Sequence, residues 1–221
     1  MNINKILSQM RTAGQIQDRE TKGALGEDAI FQLISQRKGQ RLLYHSVQYP
    51  YQTTRDGRVY LGNIKYDANT GQFQEYTSAY TDDEVDILYI TPYRCFVIES
   101  KSYHAKYIDI YEHWANVREE PVDKNPVLQN EKHCRMLYHM LNAVLPNGNP
   151  DYIVPITCFV DRCTIRDDRA EYWMNKYPVC TLNALMKTIQ HYDTPLDYNL
   201  HLKYINKLIH EKAVSIKKEA D

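Results

Sequence analysis

Nowhere in the 221 residues is there an uninterrupted apolar run of 18, so no stretch reads as a membrane-crossing helix. The opening segment MNINKILSQMRTAGQIQDRE holds only the two-residue apolar step Ile6-Leu7 and lacks the apolar centre of a secretion signal. A cytoplasmic protein without a membrane partner is the expectation. Cysteine is sparse and poorly placed for cross-linking. Cys95, Cys134, Cys158, Cys163 and Cys180 are odd in number, widely spaced and form no CxxC pair. That argues against a disulfide framework or a zinc finger, and buried free thiols are expected instead. Net charge is equally small, −1 from 27 basic and 28 acidic residues. No global field draws the chain to a polyanion, so nucleic-acid binding would need a local patch. Internal repeats and low-complexity tracts are absent too.

What is present describes a folded, soluble chain: 43% hydrophobic and 25% charged residues, with length enough for one generous domain and a sizeable core. Nineteen tyrosines suit sheet surfaces and half-buried packing. Residues 1–21 are polar and read as an arm. A helix is expected from about Gly23, with Glu27, Ile30, Phe31 and Ile34 on one face and Gly39 as its stop. RLLYHSVQYPY (41–51) reads as a strand ended by Pro50, and residues 58–80 as a hairpin about Asp67-Ala68-Asn69-Thr70-Gly71. KYIDIYEHW (106–114) reads as a further strand. Asn125-Pro126 is a strong helix start, followed by Leu128, Cys134, Leu137, Leu141 and Leu145 on an apolar side. YIVPITCFV (152–160) has the near-continuous apolar character of a buried central strand. Residues 181–192 and 200–218 are expected to be helical. Strands on both sides of a helix point to one α/β sandwich around a mixed sheet.

Chemistry concentrates in EVDILYITPYRCFVIESK, residues 84–101. With Pro92 and Tyr93 as a two-residue loop, antiparallel partners sum to 185, so Ile90 faces Cys95 and Asp86 faces Glu99. Opposed residues have Cβ atoms about 4.5–5.5 Å apart. Lys101 lies two residues beyond Glu99 and shares its side of the sheet. Two converging carboxylates repel, and one would take up a proton unless a divalent cation sat between them. Hard oxygen ligands favour Mg2+, with Mn2+ as its substitute, and an adjacent lysine can orient a water toward phosphorus. The competing reading is an Asp86–Lys101 ion pair at the sheet end with Glu99 in solvent.

The chain resembles the PD-(D/E)xK nuclease superfamily and, within it, the nuclease-related domain (NERD) family. KGALGEDAIFQLI (22–34), EVDILYITPYRCFVIESKSY (84–103), KNPVLQNEKHCRML (124–137) and the apolar strand to residue 160 carry the resemblance, in family order. It implies a restriction-endonuclease-like α-β-β-β-α-β core over about 22–160, a mixed sheet flanked by helices, and a C-terminal helical extension over 181–218, all in one domain. It also implies Mg2+-dependent cleavage of DNA. Asp86 and Glu99 become metal ligands, Glu27 and Ser100 join the metal site, and Lys101 orients the water. Gln129 points at the metal site or the scissile phosphate. His133, one turn on, shares its direction and is placed with the substrate contacts, although a packed histidine fits equally. KSYHAKY departs from the Asn and Gly that family members often carry after the lysine.

Lys203 and Lys207 form a stripe with His210 on the last helix, with Lys217 and Lys218 beyond; phosphate contact and a plain solvated face both fit. For Glu27 the rival reading is an exposed first-turn glutamate. The rival to a nuclease is a catalytically silent nucleic-acid-binding or scaffold module of the same fold, then a hydrolase of small phosphate esters. A homodimer is left open.

Overall fold

The computed structural model describes residues 19–49, 51–53, 59–61, 64–67, 72–75, 83–102, 107–109, 126–160, 164–166 and 177–220. The first elements are α1 (Arg19–Ser35), β1 (Leu42–Tyr49), β2 (Tyr51–Thr53), β3 (Val59–Leu61), β4 (Ile64–Asp67), β5 (Gln72–Glu75), β6 (Asp83–Ile90), β7 (Cys95–Lys101) and β8 (Tyr107–Asp109). There follow α2 (Pro126–Leu141), β9 (Ile153–Phe159), β10 (Thr164–Arg166), β11 (Val179–Thr181), α3 (Leu182–Tyr192), α4 (Leu202–Lys212) and β12 (Ser215–Ala220).

Six strands make one mixed sheet in the order β11-β9-β7-β6-β1-β12. β6, β1 and β12 run antiparallel to their neighbours, whereas β7, β9 and β11 are mutually parallel. Alternate residues of the strands feed two cores. Ile30 and Ile34 of α1 join Ile87, Phe96, Ile98 and Ile156, together with Leu185 and Ile189 of α3, on one face. Leu137 and Leu141 of α2 join Tyr44, Leu88, Val97, Ile205 and Ile209 on the other. Burying two faces explains why β7 and β9 are apolar almost throughout. The expected α-β-β-β-α-β order is traced by α1, β1, β6, β7, α2 and β9, with β2–β5 inserted after β1.

Several boundaries differ from expectation. α1 starts at Arg19 rather than Gly23, so Glu27 is its ninth residue and not a first-turn glutamate. Gly39 follows the helix with φ +118°, a left-handed turn residue. The hairpin expected over 58–80 holds for its inner part, where β4 pairs antiparallel with β5, whereas β3 pairs back with β2. Only Tyr107–Asp109 of the 106–114 run is a described strand, pairing with β10. The helix read over 200–218 ends at Lys212, and Ser215–Ala220 is a strand along β1. The six residues of β12 pair with partners 167 to 177 residues away in sequence, which no local period signals. The arm up to residue 18, Asn125 and Cys163 lie outside the described residues. Cys95, Cys158 and Cys180 are buried free thiols, and burial pushes Cys95 up to about 12. Among the described residues no helix is long and apolar enough to cross a membrane.

Candidate active site

The β6–β7 hairpin has the expected register: Ile90 pairs with Cys95, Tyr89 with Phe96, Leu88 with Val97 and Ile87 with Ile98. Thr91 N donates to Arg94 O at 2.9 Å and closes the turn. The ladder ends one rung short of Asp86 and Glu99. There the Ser100 N–H donates to Asp86 Oδ2 at 2.7 Å instead. β7 keeps pairing with β9 on its other side as far as Lys101, so it stays ordered while β6 parts from it.

A second irregularity sits beside the first. β1 and β6 pair from Leu42–Ile90 to Tyr49–Asp83, with the Ser46–Asp86 rung missing. Ser46 has φ +53°, in the left-handed region. Leu42 and Tyr44 face the α2 core, yet Val47 and Tyr49 face it too, so alternation slips one step at Ser46. β6 slips likewise between Val85 and Leu88, both on the α2 side. Because both strands slip at one rung, their register survives. Such backbone strain costs about 1–3 kcal/mol and collects at functional sites.

On the α2 side, Glu99 is 1% exposed. Lys101 Nζ donates to Glu99 Oε1 and, at 3.2 Å, to Gln129 Oε1. His133 Nδ1 comes within 3.2 Å of Glu99 Oε2, but off the hydrogen-bond line, and both atoms are otherwise unpartnered and buried. His133 therefore meets Glu99 in the interior, at 2% exposure, rather than presenting itself to a substrate. Asn130 holds the helix in place: its Nδ2 donates to Val97 O and to Ile156 O, both at 3.0 Å. Those carbonyls belong to β7 and β9, so α2 is pinned where Gln129 and His133 overlook the end of β7. Sequence reading passed over Asn130, whose only signal was an amide among apolar helix positions.

On the α1 side, Gly26 lies so close to the sheet that a Cβ would stand 2.8 Å from Val160 Cγ2 and 3.1 Å from Ser100 Oγ. This close approach brings Glu27 to the strand ends. Glu27 Oε2 meets His45 Nε2 at 3.1 Å and accepts from Ser46 Oγ at 3.5 Å. Neither residue was singled out from sequence. A histidine and a serine among Leu42, Leu43, Tyr44 and Val47 were the available signal.

The charges are felt across the gap. Burial raises the Asp86 carboxyl most, and the neighbouring Glu99 and Glu27 raise it further, against the Ser100 N–H and Lys101. Burial also pushes Glu99 up, but the His133 contact and Lys101 outweigh it and the net shift is downward. Asp86 and Glu99 thus sit in one electrostatic patch. Their hard oxygens suit Mg2+, which commonly takes one or two protein carboxylates. Among the described residues no three His, Cys, Asp or Glu side chains are gathered closely enough to hold an ion as they stand. Each acid has a separate partner: Asp86 the Ser100 amide, Glu99 Lys101, and Glu27 His45.

Lys203 and Lys207 are elsewhere. α4 turns Ile205 and Ile209 inward and its lysines to solvent, and Lys207 pairs with Glu211 at 3.6 Å. Among the described residues no hydrogen bond or ion pair links either lysine to the site. Lys217 and Lys218 belong to β12, off the helical stripe.

A family model described as nuclease-related domain matches residues 22–160, a span that holds every site residue named above except the two α4 lysines. No curated protein and no solved structure matches the chain.

Proposed function

The chain belongs to the nuclease-related domain (NERD) family, and on that premise we propose that it is a Mg2+-dependent deoxyribonuclease cutting phosphodiester bonds at the end of β7. The supporting observation is that Lys101 Nζ donates to Glu99 Oε1 and Gln129 Oε1 at the end of β7, one rung from Asp86, whose carboxylate accepts the Ser100 N–H. Asp86 and Glu99 would hold the ion, with Glu27 and Ser100 bordering it and Mn2+ able to substitute. When bound, the ion supplies charge compensation for the acids and polarises the phosphate and a water. Lys101, steadied by Glu99 and the Gln129 amide oxygen, orients that water toward phosphorus and offsets charge in the transition state. Gln129 fixes the lysine head. Asn130 fixes the helix through its two bonds to strand carbonyls, and His133 packs against Glu99.

Purified protein incubated with DNA in Mg2+ or Mn2+ is expected to cleave it. Asp86→Ala should lose both metal binding and cleavage, and Lys101→Ala should lose at least about 100-fold in turnover while keeping much of its metal affinity. Equal cleavage by all three proteins would remove the assignment. A second reading, a nucleic-acid-binding or scaffold module without catalysis, is favoured by the separate partners of the three acids. DNA affinity without metal-dependent strand loss would establish it.

A further inference from the structure

Consecutive residues of a β-strand point to opposite faces. His45 and Ser46 break that rule, for both reach the same oxygen, Glu27 Oε2. Only the left-handed backbone at Ser46 makes this possible. Resting on the reading of Glu27 as part of the metal site, we infer that His45 and Ser46 are positioning residues that fix the Glu27 carboxylate beside the missing Ser46–Asp86 rung.

Three observations support the assignment. His45 is fully buried, and a carboxylate oxygen only accepts, so its Nε2 carries the hydrogen and its orientation is not free. The ring is held by Phe31, one helical turn beyond Glu27, at 5.6 Å between centroids. Asp28, the alternative acid, stands 3.6 Å from His45 Nδ1, beyond hydrogen-bond reach, and is drawn outward by Lys218 Nζ at 2.6 Å. Glu27 therefore takes the imidazole N–H. Both contacts fall on Oε2, and among the described residues no hydrogen bond to Oε1 is formed, leaving that oxygen for the site. Residues that orient ligands in this manner commonly change metal affinity about 10–100-fold.

The test uses the full chain, with Mn2+ binding by calorimetry and metal-free stability by urea unfolding. Glu27→Gln, His45→Leu, His45→Gln and Ser46→Gly are compared singly, and the last three are also placed on the Glu27→Gln background. Glu27→Gln and His45→Leu should each weaken Mn2+ binding about tenfold. Combined, they should weaken it no more than either does alone, since one acts through the other. His45→Gln, which keeps a donor, should restore most of the affinity. Ser46→Gly should bind more weakly while unfolding at equal or higher urea, because glycine tolerates φ +53°.

If Glu27→Gln weakens binding but His45→Leu and Ser46→Gly match the wild type, the positioning role is wrong and the site reading stands. Affinity that merely follows urea stability across the set would reduce both residues to structural ones and overturn the inference. Wild-type-like binding by Glu27→Gln removes Glu27 from the site and the inference with it. Absence of Mn2+ binding by the wild type defeats the site reading as well. Should His45→Leu fail to fold, His45→Gln and Ser46→Gly carry the comparison.

Discussion

Among the described carboxylates, Asp86 is the one whose charged form the fold disfavours. Its raised pKa, caused first by burial and then by Glu99 and Glu27, means that the folded protein binds this proton more tightly than the unfolded chain does. The resulting stability is complete below the ordinary aspartate range and is lost as pH rises through the raised value. Asp86→Asn should therefore raise the metal-free melting temperature at neutral pH and flatten its fall between acidic and neutral pH. Glu99 carries the opposite sign: its lowered pKa gives stability that disappears as pH falls, so the variant keeps an acid limb. Mn2+ should raise the wild-type melting temperature and leave Asp86→Asn unmoved, as mass action requires of an ion that binds only the folded site. Calorimetric scans with and without Mn2+ check all of this, and a lower midpoint for Asp86→Asn at pH 7 would contradict it.

At the scale of elements, Gly26 and Asp193 set how the pieces meet. Gly26→Ala gains about 1 kcal/mol in helix propensity. The stiff Val160 side chain at 2.8 Å from the new Cβ must shift, however, and overpacking costs about 1–3 kcal/mol. A net loss of about 1 kcal/mol in urea unfolding is expected, with weaker Mn2+ binding as α1 is pushed from the sheet. Asp193, just past α3, accepts from Arg37 Nη2 at 2.7 Å and Thr91 Oγ1 at 2.6 Å, and nearby Leu200 N donates to Pro92 O at 2.7 Å. The turn of the hairpin is thus tied to the segment that follows α1 and to the C-terminal part of the chain. Asp193→Ala should cost about 2 kcal/mol by stranding a partly buried guanidinium, with Mn2+ affinity unchanged because the turn lies at the far end from Glu99. Reduced Mn2+ binding by this variant would show that the turn controls the site. The hairpin register was legible because a two-residue loop and alternating apolar residues leave one pairing that buries both faces. Of the inserted strands, the β4–β5 pair was legible from its turn residues, whereas the β2–β3 pair was not, since short runs pair equally well in more than one register.

The whole molecule depends on an edge that the family region does not supply. β12 lies beyond residue 160 and covers β1, the strand that carries His45 and Ser46. Its Lys218 reaches Asp28 on α1, and its Glu219 meets His210 of α4 at 3.1 Å. Deleting residues 213–221 would leave β1 with a row of unpaired backbone groups, an invitation to edge-to-edge association. The shortened chain is expected to show increased light scattering and a lower unfolding midpoint than the full chain. Unchanged scattering and midpoint would show that β12 adds nothing to the sheet.

Residue types and their local periods were enough to identify two apolar strands and their register, the lysine two places past Glu99, and the helix bearing Gln129. Those features depend on neighbours in sequence and on the two-residue and 3.6-residue repeats that sort side chains onto faces. The contacts of Glu27 with His45 and Ser46, the amide bridge of Asn130, and the sixth strand depended on which distant segments came to lie side by side. Such pairings are settled by strand order and by burial of two cores at once, energies that belong to the assembled sheet and to no short stretch of the chain.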